Sequence, residues 1–265
     1  MSVLNHSYDL TTEQIDAYRK DGHILLRDVL PTEHTATYRD VILETATQHN
    51  RESRDLSERD TYGKAFLQTM NLWRHDETVK AFVLAKRFAG IAAALMGVER
   101  VRLYHDQALF KEAGGGFTPW HQDQHYWPLA TDDTITMWMP LVDVTQDMGT
   151  LQFASGSHAG GYLGDMPISD ESQTKLEAFV KEKGFGLSPV EAMQAGDATF
   201  HSGWTLHAAG GNSTGHMRSV MTIIYYADGT TVAPLDNQNR IHDRDTWLPG
   251  LHEGQLAATE LNPIV

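Results

Sequence analysis

At 265 residues, with 41% hydrophobic and 21% charged side chains, the chain can bury a sizeable core and is too apolar for wholesale disorder. Its 35 acidic and 21 basic residues leave a formal charge of −14, a field that repels polyanions and argues against nucleic acid as a partner. The absence of cysteine excludes disulfides, iron–sulfur clusters and thiolate zinc sites, so any metal must be held by histidine and carboxylate.

The opening residues, MSVLNHSYDL, have neither the basic start nor the apolar run of a signal peptide. No segment approaches the roughly 20 apolar residues of a membrane helix. The expectation is a cytoplasmic protein with no membrane partner. Thr11 and Gln14 have capping-box spacing, and Gly22 sits where the helix they open would end. HILLRDVL (23–30) then reads as a short buried strand. Pro31 opens a second helix running to Asn50. The charged stretch 51–64 reads as an exposed loop, and 76–97 as a further helix ending at a glycine.

From about Val101 the pattern changes to short apolar or alternating runs. VRLYHDQALF (101–110), TITMWMPLVDV (134–144), TLQFA (150–154), DATF (197–200) and RSVMTIIYYA (218–227) read as strands. ISDESQTKLEAFVKEKG (168–184) reads as an insert with one helix, and the tail from Asp228 as loop, with a turn at WLPG (247–250). The predicted fold is mainly β with N-terminal helices: an antiparallel sandwich or barrel, of which the jelly roll is one form. One domain spanning 1–265 is expected, with helical support over 1–99, a β core over 100–228 carrying an insert near 165–190, and a tail over 229–265.

The chemistry concentrates in PWHQDQHYW (119–127). On a strand, residues two apart share a face, so His121 and Asp123 project together and Gln122 turns away. An imidazole beside a carboxylate makes two corners of a metal site, and one more imidazole would complete a two-histidine, one-carboxylate facial triad. By itself His-x-Asp is a weak signal, because 14 histidines supply about one such pair by chance, and a hydrogen-bonded histidine on a half-buried strand is the better account of the motif alone. His207 stands just before a Gly/Asn/Ser/Thr loop, and Arg218 opens a strongly apolar strand. A guanidinium there is costly to bury without an anion, and its planar fork suits a carboxylate. A small dicarboxylate reaching from a metal near His207 to Arg218 would account for both residues. A surface salt bridge would account for Arg218 alone.

Three segments together, HQDQHYWPL (121–129), GTLQFASGSHAGG (149–161) and HAAGGNSTGHMR (207–218), resemble the phytanoyl-CoA dioxygenase family. The resemblance covers nearly the whole chain. It departs at Ser155, where the family often has proline, and in HSGWTLH (201–207), which is one residue longer than the family pattern. The family's members are Fe(II)- and 2-oxoglutarate-dependent oxygenases on a double-stranded β-helix, a cupin-like jelly roll. The resemblance implies His121, Asp123 and His207 as iron ligands and Arg218 as the partner of the distal carboxylate of 2-oxoglutarate. It also implies Gln107, Trp138 and Gln122 as co-substrate contacts.

O2 would be the second co-substrate, and a small organic molecule would be hydroxylated with release of succinate and CO2. The same chemistry can also give desaturation, epoxidation or ring closure. Related halogenases have a small residue where this chain has Asp123, so chlorination is not expected. His125, Tyr126, Trp127 and Trp204, close in sequence to the ligand positions, are candidates for the substrate pocket. Two readings from other classes stand beside this one. A non-catalytic jelly-roll module would bind ligand or metal without turnover. A metal-dependent hydrolase or isomerase would have no use for oxygen or for Arg218.

Overall fold

The computed structural model describes residues 3–265. Helix α1 (Thr12–Asp21) is bounded by its own sequence: the Thr11 side chain and the Gln14 backbone and side chain form the expected capping box, and Gly22 ends the helix in the left-handed region at φ 77°. Strand β1 (His23–Leu26) follows, then α2 (Thr32–His49), entered from Pro31. The charged stretch read as a loop carries a short helix, α3 (Thr61–Ala65), whose N-terminus Asp60 caps through Gly63 N at 2.8 Å. A short strand, β2 (Leu67–Met70), comes next.

The single helix expected over 76–97 is two. α4 (Glu77–Val83) stops where the backbone becomes extended at Ala85, and α5 (Lys86–Met96) restarts there and ends on Gly97. Strands β3 (Val101–Lys111), β4 (Thr118–His121), β5 (Thr134–Pro140) and β6 (Leu151–Phe153) lead to the insert helix α6 (Asp170–Lys183). Then come β7 (Ala198–Ser202), β8 (His207–Ala209), β9 (Arg218–Ala227) and a helix in the tail, α7 (Gln238–Trp247), where loop was expected.

All strand pairs are antiparallel. Six strands form one sheet in the order β1-β7-β5-β9-β3-β2, and β4-β8-β6 form a second of three strands. The period-two alternation of side chains gives the large sheet two different faces. Ile135, Met137 and Met139 of β5, with Met221, Ile223 and Tyr225 of β9, join Phe82, Phe88 and Ile91 of α4 and α5 in the main core. The intervening residues Thr136, Trp138, Arg218 and Thr222 line a cavity on the opposite face.

A register shift between Leu103 and His105 in β3 lets His105, Gln107 and Leu109 join that inner wall. Across from it, a second register shift in β4 turns both Thr118 and His121 inward, though they stand three positions apart. The outer face of the small sheet, with Trp120 and Leu206, packs on Leu176 and Val180 of α6. Helices α4, α5 and α6 thus occupy the outer faces and leave the space between the sheets for the site. Among the described residues, no helix is long and apolar enough to cross a membrane.

One glycine fixes how the edge strand leaves the large sheet. Gly196 (φ 94°) accepts from Leu30 N at 2.9 Å and donates to Pro140 O at 3.0 Å, and an added Cβ would lie 1.9 Å from Leu30 O. Backbone cannot move aside as a side-chain tip can, and the dihedral is itself unfavourable for alanine. Gly196→Ala is expected to cost about 3 kcal/mol, read as a fall in the urea midpoint with an unchanged slope.

Candidate metal centre and its cavity

His121 closes β4 and His207 opens β8, and the two are directly paired across the small sheet. Their rings lie 4.1 Å apart, centroid to centroid. Asp123 is not on the strand, which ends at His121. It begins a 3-10 turn, but extended backbone at Gln122 preserves the alternation and keeps its carboxylate on the side of His121. Asp123 Oδ1 lies 3.5 Å from His121 Nε2 and 3.7 Å from His207 Nε2. One ligand atom from each residue falls within 4.8 Å of the others. Donors sharing one ion at about 2.1 Å are separated by roughly 3–4 Å, so the three fit a common cation.

The orientation of each donor is fixed from behind. Nδ1 of His121 faces Pro119 O at 2.7 Å, and Nδ1 of His207 faces Thr205 O at 2.9 Å. A carbonyl can only accept, so both Nδ1 atoms carry the proton and both Nε2 lone pairs point at the shared space. Asp123 Oδ2 accepts from Thr136 Oγ1 at 2.8 Å and lies 3.2 Å from Nε2 of His201, leaving Oδ1 for the cation. The protonation states also suit a metal. Burial pushes Asp123 upward, but the imidazoles around it, His207 foremost, outweigh that and hold the carboxyl well below its ordinary range. Burial and the neighbouring His121 keep His207 well below the usual histidine value, hence neutral.

The centre opens onto a cavity of about 530 Å3 between the two sheets. Arg218 stands in its wall, buried, with Nη1 donating to Gly149 O and its guanidinium 5.3 Å from the centre of the Trp138 ring. Its Nε has no partner, and among the described residues no carboxylate pairs with it. Burial pulls its pKa down to about 9. Lys111, directly opposite Arg218 in the β3–β9 register, is also fully buried. Burial and the Arg218 charge bring it down to about 7. Arg218, a buried cation in the wall without an acid, makes a receptor for an anion, whereas Lys111 Nζ donates to Gly116 O outside the lining.

Gln107 lines the same space as part of a relay. Tyr62 Oη donates to Gln68 Oε1 at 2.9 Å, and Gln68 Nε2 donates to Gln107 Oε1 at 2.5 Å. That assigns the Gln107 carbonyl to the wall and leaves its amide N–H groups to the cavity.

The structure therefore gathers His121, Asp123, His207, Arg218, Gln107, Trp138, Tyr126 and Trp127 around one cavity. Three other candidate side chains are committed elsewhere. Gln122 Nε2 donates to Trp204 O at 2.7 Å and Gly161 O at 2.8 Å, pinning the ligand turn rather than facing the cavity. Trp204 Nε1 donates to Asp132 Oδ1 at 2.8 Å. His125 lies between Asn239, at 3.2 Å, and Asp165, at 3.4 Å. His201 and Thr136, which steady Asp123, went unnoticed in the sequence. Extending the alternation of β7 by two residues beyond Thr199 would have put His201 on the inner face.

Two histidines and one carboxylate, set inside a jelly roll and leaving one side open, are the donor set of the mononuclear non-haem Fe(II) oxygenases. Comparison with known proteins agrees. The chain matches the phytanoyl-CoA dioxygenase (PhyH) family over residues 18–220 and belongs to that family. A probable alpha-ketoglutarate-dependent hypophosphite dioxygenase of Stutzerimonas stutzeri is 24% identical over 160 residues, 57% of this chain. The match covers 54% of that protein, so the chain spans about half the length of this curated relative.

Among solved structures, the non-heme alpha ketoglutarate dependent carbocyclase SnoK from nogalamycin biosynthesis superposes with a TM-score of 0.79 at 25% identity, covering 97% of both chains. The epimerase SnoN, solved with Fe3+, alpha ketoglutarate and nogalamycin RO, does so with a TM-score of 0.75 at 25% identity, covering 95% of this chain and 97% of that one. EctD from S. alaskensis, at 17% identity and a TM-score of 0.68 over 98% of this chain and 92% of its own, shares the fold.

Proposed function

We propose that this chain is an Fe(II)- and 2-oxoglutarate-dependent oxygenase that hydroxylates an unactivated C–H bond of a small organic molecule. The observation that carries the reading is the presence, in one cavity, of the His121/Asp123/His207 donor cluster and a buried guanidinium with no acid of its own. The bound iron supplies oxidation of a C–H bond by O2, coupled to conversion of 2-oxoglutarate into succinate and CO2.

The chain's own residues do the rest. His121, Asp123 and His207 hold the ion. Arg218, with Lys111 behind it, receives the distal carboxylate of 2-oxoglutarate in a desolvated setting where charge-assisted hydrogen bonds are strong. Gln107 offers N–H donors beside it, and the Trp138 ring fixes the guanidinium plane. The apolar and aromatic walls exclude bulk water, which protects a reactive centre from side reactions. The whole chain acts as one such domain, a reading supported by the 97% coverage of both chains in the SnoK superposition.

A cavity of about 530 Å3 lined by several aromatic rings is far larger than hypophosphite requires, so an organic substrate is the better fit. The carbocyclase and epimerase neighbours favour a second outcome of the same chemistry, ring closure or epimerisation.

The test is a substrate screen with Fe(II), ascorbate, 2-oxoglutarate and air, reading succinate together with product mass. Gain of one oxygen marks hydroxylation or epoxidation, loss of two hydrogens marks ring closure or desaturation, and an unchanged mass marks epimerisation. Turnover that continues without oxygen would replace this reading with a hydrolase or isomerase. Metal binding without any succinate across a broad panel would leave a binding module.

A further inference from the structure

The charges around the cavity divide it into two unequal halves. In the inner half, a divalent ion and Arg218 would offset Asp123 and a dianionic co-substrate, while Lys111 lies outside the lining with its Nζ on Gly116 O. In the outer half, the lining contains Asp60 and Asp243 and, among the described residues, neither lysine nor arginine. Asp60 is exposed at the mouth and already serves as a helix cap. Asp243 is different. It lies on the face of α7 that also brings Asn239, His242 and Trp247 to the cavity, at helical spacing. Its Oδ2 accepts from Tyr104 Oη at 3.1 Å, and among the described residues it has no ion pair.

The two arginines of the helix are turned to other partners. Arg240 pairs with Asp236 at 3.1 Å and Arg244 with Asp245 at 2.7 Å. His105, the inner-wall histidine beside Trp247, is held neutral by burial, at about 3.

We propose that this outer half takes a substrate carrying a protonated amine next to an aromatic or polycyclic body, with the Asp243 carboxylate as its counter-ion and Tyr62, Tyr126, Trp127 and Trp247 as the surrounding rings. The ring faces carry negative potential, so they favour a cation as well as an apolar body. An anionic group in the same place would meet Asp243 with no cation to offset the repulsion, which excludes acyl thioesters of a highly phosphorylated carrier. Burial lifts the Asp243 carboxyl to about 7 against the Tyr104 hydrogen bond, as expected of an acid still lacking its cation.

The inference deepens the oxygenase reading, which supplies the contents of the inner half. Its test is a binding measurement, so the two can fail separately. Calorimetric titration would compare naphthylethylamine, its uncharged N-acetyl derivative and naphthylacetate, with the protein loaded anaerobically with Fe(II) and 2-oxoglutarate and again without them.

In the loaded wild-type protein the amine is expected to bind about tenfold or more tighter than the amide, with the acid weakest. Asp243→Asn should bring the amine to the amide's affinity while leaving the amide unchanged, and Asp243→Glu should keep the preference. Naphthylacetate binding as well as the amine, an amine preference that survives in Asp243→Asn, or no saturable binding of any of the three would overturn the proposal. If the preference holds without Fe(II) and 2-oxoglutarate while no succinate is ever formed, the oxygenase reading fails and the cation site stands.

Discussion

His207→Ala is expected to abolish stable iron binding and reduce succinate formation to background, whereas His201→Ala should weaken iron without eliminating it. Both imidazoles lie close to Asp123, and their rings are only 4.4 Å apart, so proximity alone does not separate them. Their surroundings do. His207 Nδ1 is tied to Thr205 O, which leaves Nε2 as a lone pair directed, with His121 Nε2, at Oδ1 of Asp123. His201 faces the other carboxylate oxygen, where it must donate, and its Nδ1 is buried without a partner.

A donor to the back of a ligating carboxylate orients it, and losing such a partner costs about 10–100-fold in metal affinity. Losing a ligand removes a bond to the ion itself and costs more than that. Iron content after dialysis and anaerobic calorimetry would rank the variants. Equal retention of iron by His207→Ala and the wild type, with loss in His201→Ala, would mean that the cation sits on the opposite side of Asp123.

The division between what was legible in the chain and what was not follows the range of the interactions. The α1 cap box and its glycine stop were readable because all the determinants lie within a dozen residues of one another. The long inner strands were readable because burial on both faces demands continuous β-branched and aromatic runs, as in RSVMTIIYYA. The candidate ligand residues stood out through a resemblance to a family, since His-x-Asp alone arises by chance.

What the sequence concealed was set by the tertiary structure. Helix α7 turns polar residues, Asn239, His242 and Asp243, toward a cavity, so it has no apolar stripe to betray it, and the tail looked like loop. The break between α4 and α5 involves neither proline nor glycine, and nothing local announces it. Nearness in sequence to a ligand also proved a poor guide to the pocket. The 3-10 turn after Gln122 sends Tyr126 and Trp127 into the cavity and His125 away toward Asp165, a choice that alternation cannot make.

Arg218→Ala is expected to weaken 2-oxoglutarate binding by roughly 3 kcal/mol, on the order of a hundredfold, while iron affinity and the stability of the ligand-free fold stay nearly unchanged. The two halves of that expectation have one cause. In the ligand-free protein the guanidinium is buried with a carbonyl, a ring and a neighbouring lysine, but no acid, so part of its desolvation cost goes uncompensated. Removing it deprives Gly149 O of a donor but also relieves that cost and the repulsion with Lys111, and the two effects offset to within about 1 kcal/mol. With 2-oxoglutarate bound, the sign changes, because the carboxylate that would have balanced the guanidinium loses its buried counter-ion. Lysine offers a point charge in place of a two-pronged donor, so Arg218→Lys should recover only part of the affinity. Calorimetric titration of 2-oxoglutarate under anaerobic conditions, beside urea melts without it, separates the terms. A large loss of stability with unaltered 2-oxoglutarate affinity would make Arg218 a structural residue and return the role of anion receptor to other groups in the cavity.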